Sequence, residues 1–330
     1  MHLLVSTPLH IFLVDPFSND VRIIRAGDGY YYGITYYSGT LILTHTGGYL
    51  GYFGDDHSPK FSRGRYLIQP HQAEWLDGRI LVANTGKNCI SIFTKDGSFE
   101  KDVYLNDIYW DDKDKGRQGN HFNSIHKAGD YVFLVAHNYE RFSEVWVLSW
   151  PNLEVVKTIV TQANWAHNLW SGELGMITCN SKYGSLQNIL TGETVWEAGE
   201  DNVITRGLAV SDQYIFIGCS AHSTRRERYW RNGGIWVVER QSLRTVRKIV
   251  LPGSGDVHEI RLLDVLDECH SGEIIPLSAV DSIRKITPFV AWAYGLRKTY
   301  PVFRRDMFLF SHLVRGRQMI ARWYKAWRYG

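Results

Sequence analysis

Two stretches of the chain, "HQAEWLDGRILVAN" from His71 and "HNLWSGELGMITCN" from His167, open on histidine and close on asparagine, at Asn84 and Asn180. Their starts lie 96 residues apart and they align without a gap. A third histidine, His258, opens "HEIRLLD". Imidazoles recurring at long intervals suit a shared divalent transition metal with open positions, and the asparagines suit hydrogen bonds to its water, a substrate or the ligands. The same residue types also cap exposed strand ends and hold ordered channel water. The choice depends on the elements that carry them.

Those elements repeat. In register stand "YGITYYSGTLILTH" from Tyr32, the two stretches above, "NSIHKAGDYVFLVAH" from Asn123 and "GLAVSDQYIFIGCS" from Gly207. Each is two apolar runs about a Gly or Asp turn, hence a hairpin. A second hairpin follows in most units, as in "CISIFTKDGSFEKDVYL" and "GIWVVERQSLRTVRKIV", with turns of residues that tight turns favour. Four short strands per unit of roughly 40 residues is the pattern of a β-propeller blade. "HIFLVDPFSNDVRIIR" is an outer hairpin preceded only by "LLVST", and "VHEIRLL" is an innermost strand with no partner after it. Together they complete one blade, hiding the edges that a linear array would expose. The reading is an all-β, six-bladed propeller over residues 1–265, with strand 257–263 closing beside strand 3–7.

In such a ring the start of each innermost strand and the end of the second line one axial mouth. The starts read His258, Tyr32, His71, Asn123, His167, Gly207, and the ends Thr7, His45, Asn84, His137, Asn180, Ser220. Histidine occupies alternate blades among the starts. His71, His167 and His258 are therefore the expected ligands of a divalent ion (Fe, Mn, Zn or Ca), with His45 a further ligand and His137 a proton carrier. Tyr32, Asn84, Asn123 and Asn180 would face substrate. Glu74 and Glu259 are candidate general bases; a solvated or inter-blade salt-bridged role is the plainer reading, and strand alternation turns Glu259 away from His258.

The loop "AHSTRRERYWRNGG" joins the second and third strands of the last full blade and emerges at the histidine mouth. Arg225, Arg226 and Trp230, with Arg206, can hold an anionic or sugar-like group there, or form a solvated basic loop. "NDIYWDDKDKGRQGN" brings mixed charge to the same face, which argues against a nucleic-acid surface.

Composition sets the outer limits. The 330 residues are 44% hydrophobic and 14% aromatic, enough for a large core. Four widely spaced cysteines with no C-x-x-C pair read as buried thiols, favouring the cytoplasm. The N-terminus lacks a basic region before its apolar residues, so it reads as strand rather than signal peptide. Residues 276–330 hold eleven Lys/Arg and two Asp, a net +9 against +3 for the chain, which marks a boundary near residue 270, just past the propeller's expected end at residue 265. Residues 266–330 form the expected basic, mostly helical extension. It would lie on an anionic membrane at the inner face, contact a protein partner, or pack on the propeller.

Residues 1–265 resemble, in architecture, the six-bladed gluconolactonase and strictosidine-synthase group. "HFNSIH", "TRGLAV", "GGIWVVE" and "VHEIRLLD" are similar to motifs of bacterial propellers assigned to domains of unknown function. The resemblance implies an axial site that often holds a divalent metal. The gluconolactonase pattern uses carboxylate and asparagine ligands, whereas this mouth offers His and Asn. The expected function is a metal-dependent hydrolase or lyase acting on a small polar or saccharide-derived substrate. The alternative is a non-catalytic propeller that binds a glycan or a protein partner.

Overall fold

The computed structural model describes residues 1–18, 20–27, 30–54, 60–62, 64, 66–224, 229 and 231–287. They form six antiparallel sheets arranged as blades. The innermost strands, in ring order, are Glu259–Leu263, Tyr31–Tyr37, Pro70–Leu76, Phe122–Ala128, Ala166–Gly172 and Val203–Val210. Glu259–Leu263 pairs with His2–Ser6, from Ser6 opposite Glu259 to His2 opposite Leu263, so the first blade takes its inner strand from the far end of the chain. The expected closure and blade number are both present.

Alternation along each strand builds the ring. Leu3 and Val5 turn to one face and pack with Phe216 and Ile235 of the last blade. Leu4, between them, turns to the other face and packs with Ile34, Leu41 and Phe53 of the second. The described residues form six such apolar clusters, one at each blade-to-blade interface, so the ring closes through side-chain packing as well as through strand pairing. All four cysteines are buried and free.

The boundary expected at residues 265–270 is not a break in packing. Asp264 N–H donates to Ile275 O, and Glu268 N–H to Val210 O. Val280 and Ile283 are buried in the apolar cluster between the first two blades, and Lys285–Ile286 adds a parallel strand to Val21–Ala26. Of the expected helices, the described part holds one turn, Val280–Ile283, before the chain becomes extended. The second helix and most of the first, from residue 288 on, lie outside the described residues. Among the described residues no helix is long and apolar enough to cross a membrane.

Candidate functional site at the axial mouth

Near the starts of five inner strands the antiparallel register shifts, between Tyr31 and Ile34, Pro70 and Ala73, Phe122 and Ser124, His167 and Leu169, and Thr205 and Leu208. Such bulges re-aim side chains and suspend strict alternation. Consecutive residues can then line one axial cavity: His71 with Gln72, Asn123 with Ser124, His167 with Asn168, joined by Tyr32, Arg206, His258 and Glu259. Glu259 faces the same cavity as His258, against the alternation argument, because His258 precedes the strand that begins at Glu259. Two residues before His71, Asn123 and His167 the backbone is left-handed, at Gln69 (φ 49°), His121 (φ 54°) and Trp165 (φ 58°). The same strained turn, uncommon for residues other than glycine, thus delivers three successive blades to the mouth.

The repeated His…Asn pattern has a structural cause. Thr85, next after Asn84, donates its hydroxyl proton to Phe122 O of the following blade (2.5 Å) and lies 2.7 Å from His71 Nδ1. Ser181, next after Asn180, donates to Thr205 O of the following blade and lies 2.9 Å from His167 Nδ1. A hydroxyl has one proton, so each accepts from the imidazole. Gln69 O, 3.1 Å from His71 Nδ1, and Trp165 O, 2.8 Å from His167 Nδ1, select the same tautomer. The proton sits on Nδ1 in both rings, and Nε2 is left as an acceptor. Burial first, then the charge of Arg206, holds both imidazoles well below their ordinary pKa, so they are neutral.

The remaining expected residues divide between mouth and scaffold. Tyr32 stacks on His258 with ring centroids 4.0 Å apart, and Arg206 lies 5.4 Å from its ring centre. Asn123 lines the cavity and donates to Ala166 O of the next blade. Asn84 is fully buried: its Oδ1 accepts from Ile68 N–H and its Nδ2 donates to Tyr66 O and Ser91 Oγ. Asn180 ties Asn164 N–H to Gln187 Oε1. Both asparagines brace turns and do not line the cavity. His45 is buried beside the mouth, stacked on Tyr49 at 4.2 Å, with Nδ1 accepting from Gly47 N–H. His137 accepts from Tyr139 N–H and packs between His121 and His167. Arg225, Arg226 and Trp230 lie outside the described residues.

Below the mouth, Glu74 and Glu259 share the guanidinium of Arg261: Nη2 is 2.9 Å from Glu74 and Nε 2.8 Å from Glu259. This is the inter-blade salt bridge, joining the closing strand to the third blade. Burial pushes the Glu74 carboxyl up to about 8 and the Glu259 carboxyl up to about 7, with Arg261 opposing the shift. Neither carboxylate is a solvated surface group.

Several mouth and channel residues carry no signal in composition. His121 bridges His71 and His137, at 5.3 and 5.0 Å between ring centroids. Gln72 and Asn168 lace neighbouring blades by accepting from Ile125 N–H and Gly207 N–H. Thr85 and Ser181 were visible in principle, since both follow the repeated asparagine and both carry a hydroxyl.

A divalent ion at the mouth finds suitable tautomers but an unfavourable setting. Arg206 contributes a permanent positive charge to the cavity. Among the described residues, the three metal-ligating atoms found within 4.8 Å of one another belong instead to Glu74, Glu259 and His270.

No protein-family model matches the chain, and no curated protein matches it. Among solved structures it is similar to a chain in a nidogen/laminin complex, at 10% identity and a TM-score of 0.58, over 78% of this chain and 97% of that one. It is similar, at 13% identity and a TM-score of 0.57, to a protein of unknown function from Bacteroides caccae, over the same shares of the two chains. These likenesses show a β-propeller, and the sheets described above give it six blades.

Proposed function

We propose that the axial mouth binds a small hydroxylated anion, such as a sugar acid. Its carboxylate would pair with Arg206 and its hydroxyls would donate to Nε2 of His71 and His167. One observation carries this reading: a permanent cation lines the same cavity as two imidazoles whose protons are held on the far nitrogen. Guanidinium favours carboxylate, and a neutral imidazole acceptor favours hydroxyl. The cavity has room for little more than one water-sized group, so most of the ligand would lie across the mouth and not inside it.

A metal-dependent hydrolase or lyase is the second reading, favoured by the fixed tautomers of His71 and His167, which are those of metal-ligating histidines. A metal held there with His258 would require the three imidazoles to close in, since their ligand atoms do not all lie within 4.8 Å of one another. It would supply Lewis acidity, and Arg206 would receive the substrate's charge. Calorimetric titration with glucuronate, glucose and zinc separates the two. Binding of glucuronate but not glucose, lost in Arg206→Gln, supports the anion site. Zinc binding lost in His71→Ala, with no response to glucuronate, overturns it.

A further inference from the structure

The segment after the closing strand folds back beneath the channel and places His270 beside the two buried glutamates. Its side chain is 2% exposed. Nδ1 lies 2.9 Å from Asp267 Oδ2, which fixes the proton on that nitrogen. Nε2 is buried, has no hydrogen-bond partner, and lies 3.6 Å from Glu259 Oε1, beyond hydrogen-bond distance. An orphaned acceptor facing carboxylate oxygen is an unfavourable pair unless something positive lies between them.

We propose that Glu74, Glu259 and His270 form a divalent transition-metal site beneath the mouth. Three observations converge on it. One ligand atom from each residue lies within 4.8 Å of the others, a spacing that a small inward shift converts to coordination. Asp267 holds His270 as a carboxylate holds a metal-ligating imidazole, with the opposite nitrogen presented to the ion. Ionised, Glu74, Glu259 and Asp267 carry three negative charges against the single positive charge of Arg261, so one divalent ion balances the cluster.

Arg261 leaves room for the ion. It engages Oε1 of each glutamate, Gln72 Nε2 also donates to Glu74 Oε1, and Ser271 N–H donates to Glu74 Oε2, so Glu74 Oε2 and Glu259 each keep a lone pair for the ion. Glu259 also lines the mouth cavity, so the cluster borders that opening. One imidazole with two carboxylates suits zinc, manganese or iron(II) better than calcium.

The test is zinc loaded onto the purified full chain, read by X-ray absorption at the zinc edge and by calorimetry. One bound zinc with a single imidazole and otherwise oxygen neighbours is expected. His270→Gln should abolish this binding, Asp267→Asn should weaken it about 10–100-fold as loss of an orienting carboxylate does, and His71→Ala with His167→Ala should leave it intact. A shell of two or three imidazoles, or no bound zinc, overturns the proposal. The absorption spectrum of the native chain decides even where His270→Gln does not fold. Glucuronate binding at the mouth is measured separately, so either reading can fail alone.

Discussion

The hydroxyl of Thr85 joins His71 Nδ1, 2.7 Å away, to the carbonyl of Phe122 in the next blade. Ser181 does the same for His167 and Thr205, two blades further round the ring. One side chain therefore both fixes an imidazole tautomer and stitches two blades. Thr85→Val should cost about 1–2 kcal/mol, since it strands the Phe122 carbonyl and leaves the ring N–H only Gln69 O, 3.1 Å away, while Thr85→Ser should be near neutral. Chemical denaturation checks both. Equal losses for Val and Ser would show that the hydroxyl is not what matters.

Arg261 bridges Glu74 and Glu259 with its side chain only 3% exposed. Arg261→Met should cost about 3–5 kcal/mol at pH 8, because it leaves buried carboxylates without their cation. The loss should shrink at pH 5, where both carboxyls hold protons. A loss that does not vary with pH would contradict the assignment.

Glu74 sets a second pH signature in metal-free protein. Burial raises its carboxyl from an ordinary 4.5 to about 8. Between those values the folded chain holds a proton that the unfolded chain has released, so unfolding free energy falls as pH rises. The stabilising contribution is full below pH 4.5 and gone above about 8. The stability of the native chain relative to Glu74→Gln should therefore decline steadily across that window in denaturant titrations. A difference that grows with pH would reverse the sign and refute the shift.

Ile283 is fully buried in the cluster shared by the first two blades. Ile283→Ala should cost about 2–5 kcal/mol by thermal or chemical unfolding. A loss below about 1 kcal/mol would return residues 276–287 to the status of a separable extension.

The ring, its six blades and the closing strand were legible because apolar alternation and turn residues repeat with the blade. The mouth was legible in part. His71, Asn123, His167, Tyr32 and His258 stand where the strand starts put them, since propeller geometry alone decides that position. Asn84 and Asn180 do not reach the cavity because a strand's last residue can turn into the following loop, as Asn84 does to hold Ile68 N–H. Glu259 was misjudged because alternation does not hold where His258 precedes the strand. His270 was invisible: it follows the last repeat, and only the fold-back of residues 264–275 brings it beneath the channel.

Nitrogen-15 spectra of the His71 and His167 side chains, recorded at pH 7 with and without glucuronate, test the mouth most directly. Both rings should be neutral with the proton on Nδ1, and glucuronate should shift Nε2 of both while Arg206→Gln abolishes the response. Imidazolium rings at pH 7, or Nε2 signals unmoved by glucuronate at saturating concentration, would contradict a neutral, Arg206-anchored anion site.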